Sequence, residues 1–165
     1  MHMRVRFGVV VSLLLVAGAV AQAGKPRSVH DAFAGRILLS TSPLRPTGAT
    51  ESAMIEDFRK AAVHEVTARN SGDAEASWHF HFTAFLAKPP RISEMSLDVY
   101  TADDDNRYVT SKRMMGIDPR LQILAADMAL TEEDGVKPGA TYRLVLTGDV
   151  RGREVTFATA AVTLR

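Results

Sequence analysis

The chain has 165 residues, with 20 Lys plus Arg against 19 Asp plus Glu, 46% hydrophobic residues and no cysteine. This length fits one domain of ordinary size that can bury most of its apolar surface. The near-neutral charge, without basic clusters, excludes the electrostatic footprint of a nucleic-acid binder, and the missing cysteines exclude disulfides and a lipid-anchored cysteine.

Arg4 and Arg6 precede an apolar run from Phe7 to Ala21, and Ala21-Gln22-Ala23 supplies a small-x-small cleavage pattern. Residues 1–23 therefore read as a secretory signal peptide, which implies export to the periplasm or beyond. The run is shorter than the ~20 residues a spanning helix needs, so no integral membrane segment is expected after cleavage. Cleavage removes two arginines and no acid, leaving 18 basic against 19 acidic residues, a formal net charge of −1.

Residues 24–34 read as a loose polar leader and residues 35–165 as a single domain. Gly35 to Ser40 is a short apolar run closed by Pro43 and Pro46, and predicts a strand followed by a loop. Met54, Ile55, Phe58, Ala61 and Ala62 then recur at helical spacing opposite charged positions, predicting an amphipathic helix over 51–63. Thr50 is its expected N-cap, and Glu51 sits at the positive end of the helix dipole. Downstream, strands are expected at His64 to Arg69, Ser77 to Leu86, Met95 to Thr101, Arg107 to Met114, Leu121 to Leu130, Thr141 to Thr147 and Glu154 to Leu164. Asn70 to Asp73, Asp103 to Asn106 and Gly148 to Gly152 supply turn chemistry between them. So many short strands predict a sandwich or barrel.

Val136-Lys137-Pro138-Gly139-Ala140-Thr141-Tyr142 resembles the tyrosine-corner segment of fibronectin type III and related immunoglobulin-like domains. The resemblance implies that the Tyr142 hydroxyl bonds back to the upstream backbone and that Trp78 points inward on an early strand. The fold class it implies is all-β with one N-terminal helix, an immunoglobulin-like antiparallel β-sandwich. A weaker likeness, to small exported bacterial proteins of unknown function, implies no activity.

Ser77 to Leu86 carries the sharpest chemical lead. With a period of two, Trp78, Phe80, Phe82 and Ala84 share the core face, which leaves His79, His81, Thr83 and Phe85 on the outer one. A His-x-His pair on a rigid strand can present two imidazoles to one Zn or Cu ion, although a useful site takes a third protein ligand. Glu65 is a candidate if its strand neighbours Ser77 to Leu86. His64 alternates in phase with Val66 and Ala68 and is expected to face inward, whereas His30 lies in the leader and could swing in. The alternative is that these histidines are polar residues on a half-solvated sheet face.

Other apparent motifs are incomplete. His64-Glu65-Val66-Thr67-Ala68 lacks the second histidine of a zinc-protease helix, and the Asp103 to Asn106 acids lack the glycine and closing glutamate of a calcium loop. Met95 and Met54 fall on expected core faces, and only the Met114-Met115 pair is a candidate for exposure. No nucleophile elbow, phosphate loop or Cys-His arrangement is present. The expected function is a non-enzymatic exported binding module, without catalytic residues, whose partner is another envelope protein or surface component and not nucleic acid. The alternative is an exported Cu- or Zn-binding protein using His79, His81 and Glu65.

Overall fold

The computed structural model describes residues 28–69 and 75–165. The signal peptide expected over residues 1–23 and the turn expected at Asn70 to Asp73 lie outside them.

The strand Ser77–Phe85 (β3) organises the interior. Trp78, Phe80, Phe82 and Ala84 share one face and all are buried. Burying each phenylalanine contributes about 2–3 kcal/mol, so a one-residue slip that exposed this face is strongly disfavoured. The Trp78 indole N–H donates to the Arg165 carbonyl at 3.0 Å, which satisfies the core's one indole donor. Strand β1 (Arg36–Ser40) pairs antiparallel with one side of β3, and β6 (Ile123–Thr131) with the other. The expected hairpin forms from β4 (Glu94–Thr101) and β5 (Tyr108–Met115). The last two strands, β7 (Thr141–Asp149) and β8 (Glu154–Leu164), pair antiparallel, and the two-residue β2 (Glu65–Val66) lies parallel to β8.

The protein is mostly β, as expected, but its strands form one continuous sheet curled into a half-barrel, in the order β5-β4-β7-β8-β1-β3-β6 with β2 beside β8. A sandwich requires two separate sheets. Here β1 joins the two halves, running parallel to β8 at Arg36 and Thr159 and antiparallel to β3 along its length. One row of partners therefore crosses the whole sheet: Ser111, Asp98, Val145, Thr159, Arg36, Phe85 and Ile123. The curl turns the inner faces of both halves toward a common core, where Leu39, Trp78 and Leu130 of one half are buried with Leu97, Leu144 and Leu146 of the other.

A helical layer covers part of the outer face. The leader is helical from Val29 to Phe33 (α1), capped by Ser28, whose hydroxyl accepts the Asp31 N–H at 3.1 Å. The expected amphipathic helix runs Glu51–Ala61 (α2), with the Thr50 hydroxyl accepting the Ala53 N–H at 3.2 Å. It ends two residues early because the Val63 N–H leaves to donate to Leu39 of β1 at 2.8 Å. Phe33 and Phe58 close over Phe85, with ring centroids 5.2 and 5.7 Å from it. Phe85 was expected on a half-solvated face, yet it is fully buried, because the two helices make a second small core there.

The two edges of the sheet, β5 and β6, are tied once, from the middle of β5 to the turn that follows β6. A 3₁₀ turn at Glu132–Asp134 follows β6, and its Asp134 carboxylate accepts from Lys112 of β5 at 2.6 Å and from the Thr131 N–H at 2.9 Å. Burial pushes the Asp134 carboxyl up, but the hydrogen bonds from Lys112 and Thr131 outweigh it and hold the group below its ordinary value. A carboxyl depressed on folding contributes stability above its unfolded pKa and loses it as pH falls through the folded value. Asp134→Ala is therefore expected to cost about 1–2 kcal/mol at pH 7. The difference from wild type should close as pH falls below about 4, which urea denaturation at pH 7 and pH 3 will show.

Candidate functional site

The half of β3 that the helices leave uncovered carries the two histidines. His79 is exposed and His81 is half-buried on the outer face, so the sequence assigned their side of the strand correctly. Antiparallel pairing sets Asp127 of β6 directly opposite His81, and their side chains meet, the Asp127 carboxylate against His81 Nδ1. On the other side His81 faces Ser40, the last residue of β1. Where β1 ends, Thr41 and Arg69 border a shallow cavity of about 340 Å³ that also contains His79, His81 and Asp127. His79 Nε2 lies 3.3 Å from the Ser77 hydroxyl.

The other proposed ligands are elsewhere. Glu65 is exposed, but β2 pairs with β8 rather than β3, and its carboxylate accepts from the Arg165 guanidinium at 2.9 Å. That bond holds the Glu65 carboxyl below its ordinary value. His64 was expected to face inward and is instead exposed, because it precedes a strand that begins only at Glu65. His30 does not swing free: it belongs to α1, and its Nε2 donates to the Leu86 carbonyl at 2.6 Å, at the far end of β3 from His79. Among the described residues, no group of three or more His, Cys, Asp or Glu is gathered closely enough to hold a metal ion.

Asp127 escaped the sequence reading because its position opposite His81 is set by a pairing between strands more than 40 residues apart. Its one available signal was being the single charge in an otherwise uncharged β6.

A second depression, of about 740 Å³, lies at the tyrosine-corner end between the β4–β5 tip and the start of β7. The Lys137 N–H donates to the Tyr142 hydroxyl at 2.7 Å, the local bond the tyrosine-corner resemblance implies. Arg107 there lies 3.8 Å from Asp103 and 4.0 Å from Asp105. These groups are already engaged with one another, and none of them is a nucleophile beside a base.

The edge of β6 is the remaining feature. It ends the strand order, and its nine residues contain one charge and no proline. Leu121, Ile123 and Met115 are 45%, 46% and 75% exposed. Leu121 and Ile123 lie at the start of β6, whereas Met115 closes β5, the opposite edge of the sheet. Among the described residues no helix is long and apolar enough to cross a membrane. Comparison with known protein families and with curated proteins finds no match for this chain.

The pairing of His81 with Asp127 rather than Glu65 has a spectroscopic consequence. Asp127→Asn is expected to shift the His81 imidazole resonances in a ¹H–¹⁵N spectrum, whereas Glu65→Gln leaves them in place. The reverse pattern would contradict the register of β3 and β6.

Proposed function

We propose that the protein is a non-enzymatic exported binding module of the periplasm or cell envelope. In this reading it holds an extended segment of another envelope protein or surface component along β6. The observation that carries the proposal is the β6 edge, which has no further partner strand among the described residues and has exposed apolar side chains at its Ile123 end. Such an edge presents unpaired N–H and C=O groups to an incoming strand, while Leu121 and Ile123 supply apolar surface for alternate side chains of that strand. Natural edge strands are commonly blunted by lysine, proline or a bulge. β6 has no lysine or proline, and its pairing with β3 runs without a register shift. Kinship with fibronectin type III and immunoglobulin-like domains, many of which act as interaction modules, belongs to the same proposal and is supported by the Lys137–Tyr142 bond.

A photo-crosslinking residue tests this when placed at exposed Ala125 on β6 or at Arg113 on the opposite edge. In envelope extracts, a discrete adduct is expected from position 125 and not from position 113. Ile123→Lys is expected to abolish that adduct while changing stability by no more than about 0.5 kcal/mol, as for an ordinary surface substitution. Adducts at neither position, or equally at both, contradict the reading.

A second reading is favoured by one observation, the Asp127 carboxylate beside His81. Rotating His79 away from Ser77 would give a cation two imidazoles and a carboxylate on one sheet face, a donor set suited to Zn or Cu. On this reading, titration with Zn(II) or Cu(II) gives one-to-one binding that is lost in both His79→Ala/His81→Ala and Asp127→Ala and retained in Glu65→Ala. Binding indifferent to these substitutions removes the metal reading.

A further inference from the structure

At the end of the sheet opposite the tyrosine corner, the loop from Lys88 to Ile92 and the β7–β8 turn rim a cavity of about 560 Å³. Its floor is apolar: Phe157 is buried, with Ile92, Val150 and Val155 half-buried around it. Its rim is cationic, because Lys88, Arg91 and Arg151 are all exposed along the same opening. No Asp or Glu lines the cavity, and among the described residues none of these three cations forms an ion pair. Asp149, beside the turn but outside the cavity lining, accepts the Gly152 N–H at 2.6 Å.

Two of the three cations stand on unfavourable backbone. Arg91 and Arg151 each have a φ of 58°, in the left-handed region that bulky L residues rarely adopt. The turn closed between Val150 and Arg153 has positive φ at both central residues, Arg151 and Gly152. In such two-residue turns Asn, Asp or Gly is the favoured first residue, so turn formation alone does not call for a guanidinium. Strained positions of this kind concentrate at ligand sites, and here both face the same unpaired, apolar-floored cavity.

We propose that this cavity binds an amphipathic carboxylate, with an acyl chain on the Phe157 floor and the carboxylate held between Arg91 and Arg151. The planar guanidinium fork matches a carboxylate in two hydrogen bonds, and Lys88 adds to the attractive field at the entrance. The site is separate from the β6 edge and does not depend on a partner strand binding there.

Isothermal titration with dodecanoate below its micelle concentration tests the proposal, using acetate, which lacks the chain, and dodecanol, which lacks the charge, as controls. One saturable site is expected for dodecanoate, with both controls weaker by about tenfold or more. Arg91→Gly/Arg151→Gly is expected to lose about tenfold or more in affinity, as is Arg151→Asn, which keeps a residue tolerant of the turn. The double glycine variant should also melt no lower than wild type, because glycine relieves both positive φ angles. Unchanged dodecanoate affinity in these variants, or no saturable binding to the wild type, overturns the proposal. Tighter binding to phosphatidylglycerol vesicles than to monomeric dodecanoate also overturns it, because a membrane surface would then be the ligand.

Discussion

The register of β3 is the constraint on which the rest of the structure depends. Its period of two commits Trp78, Phe80 and Phe82 to the core, and the Trp78 bond to Arg165 ties that face to the end of the chain. The opposite face is then divided by what covers it. Phe85 lies under α1 and α2, whereas His79 and His81 lie beyond their reach. A slip of one residue would bury two imidazoles and expose three aromatics, so the histidine face is a direct consequence of core packing.

The sheet stays open for an equally local reason. β1 hydrogen-bonds both β8 and β3, so the chain builds one curved sheet with two edges instead of two closed layers. Lys112, in the middle of β5, and Asp134, just beyond β6, tie those edges. The Gly116 to Gln122 connection between them leaves Met115 at the end of β5 and Leu121 and Ile123 at the start of β6 exposed. Leu121 and Ile123 therefore put exposed apolar surface beside a strand that, among the described residues, is paired on one side only. β5, the other edge, also carries the exposed Met115, but Lys112 and Arg113 precede it there, whereas β6 has a single charge.

Local pattern made much of this legible. Alternation located β3, β4 and β8 to within a residue or two, helical spacing located α2, and Thr50 marked its start. The pattern could not show that β1 joins the two halves, because parallel pairing of Arg36 with Thr159 links positions more than 120 residues apart and leaves no short-range trace. The same limit hid Asp127 from the histidine pair and left Glu65, His64 and His30 as candidates whose distance from it no local pattern could fix. Phe85 misled because its outward position was read as solvent-facing, when a helix from the supposed leader packs on it. The cavity at Arg91 and Arg151 was illegible too, since arginine in a left-handed conformation has no signature in a single sequence.

The central claim is that β6 presents a free edge, and amide hydrogen exchange along Ile123 to Thr131 tests it most directly. In an edge strand, amides directed at β3 are bonded and those on alternate residues face outward. The account predicts slow exchange alternating with fast exchange, residue by residue, in the isolated protein. Uniform protection along all nine residues would mean that the edge is already paired, and would contradict the account.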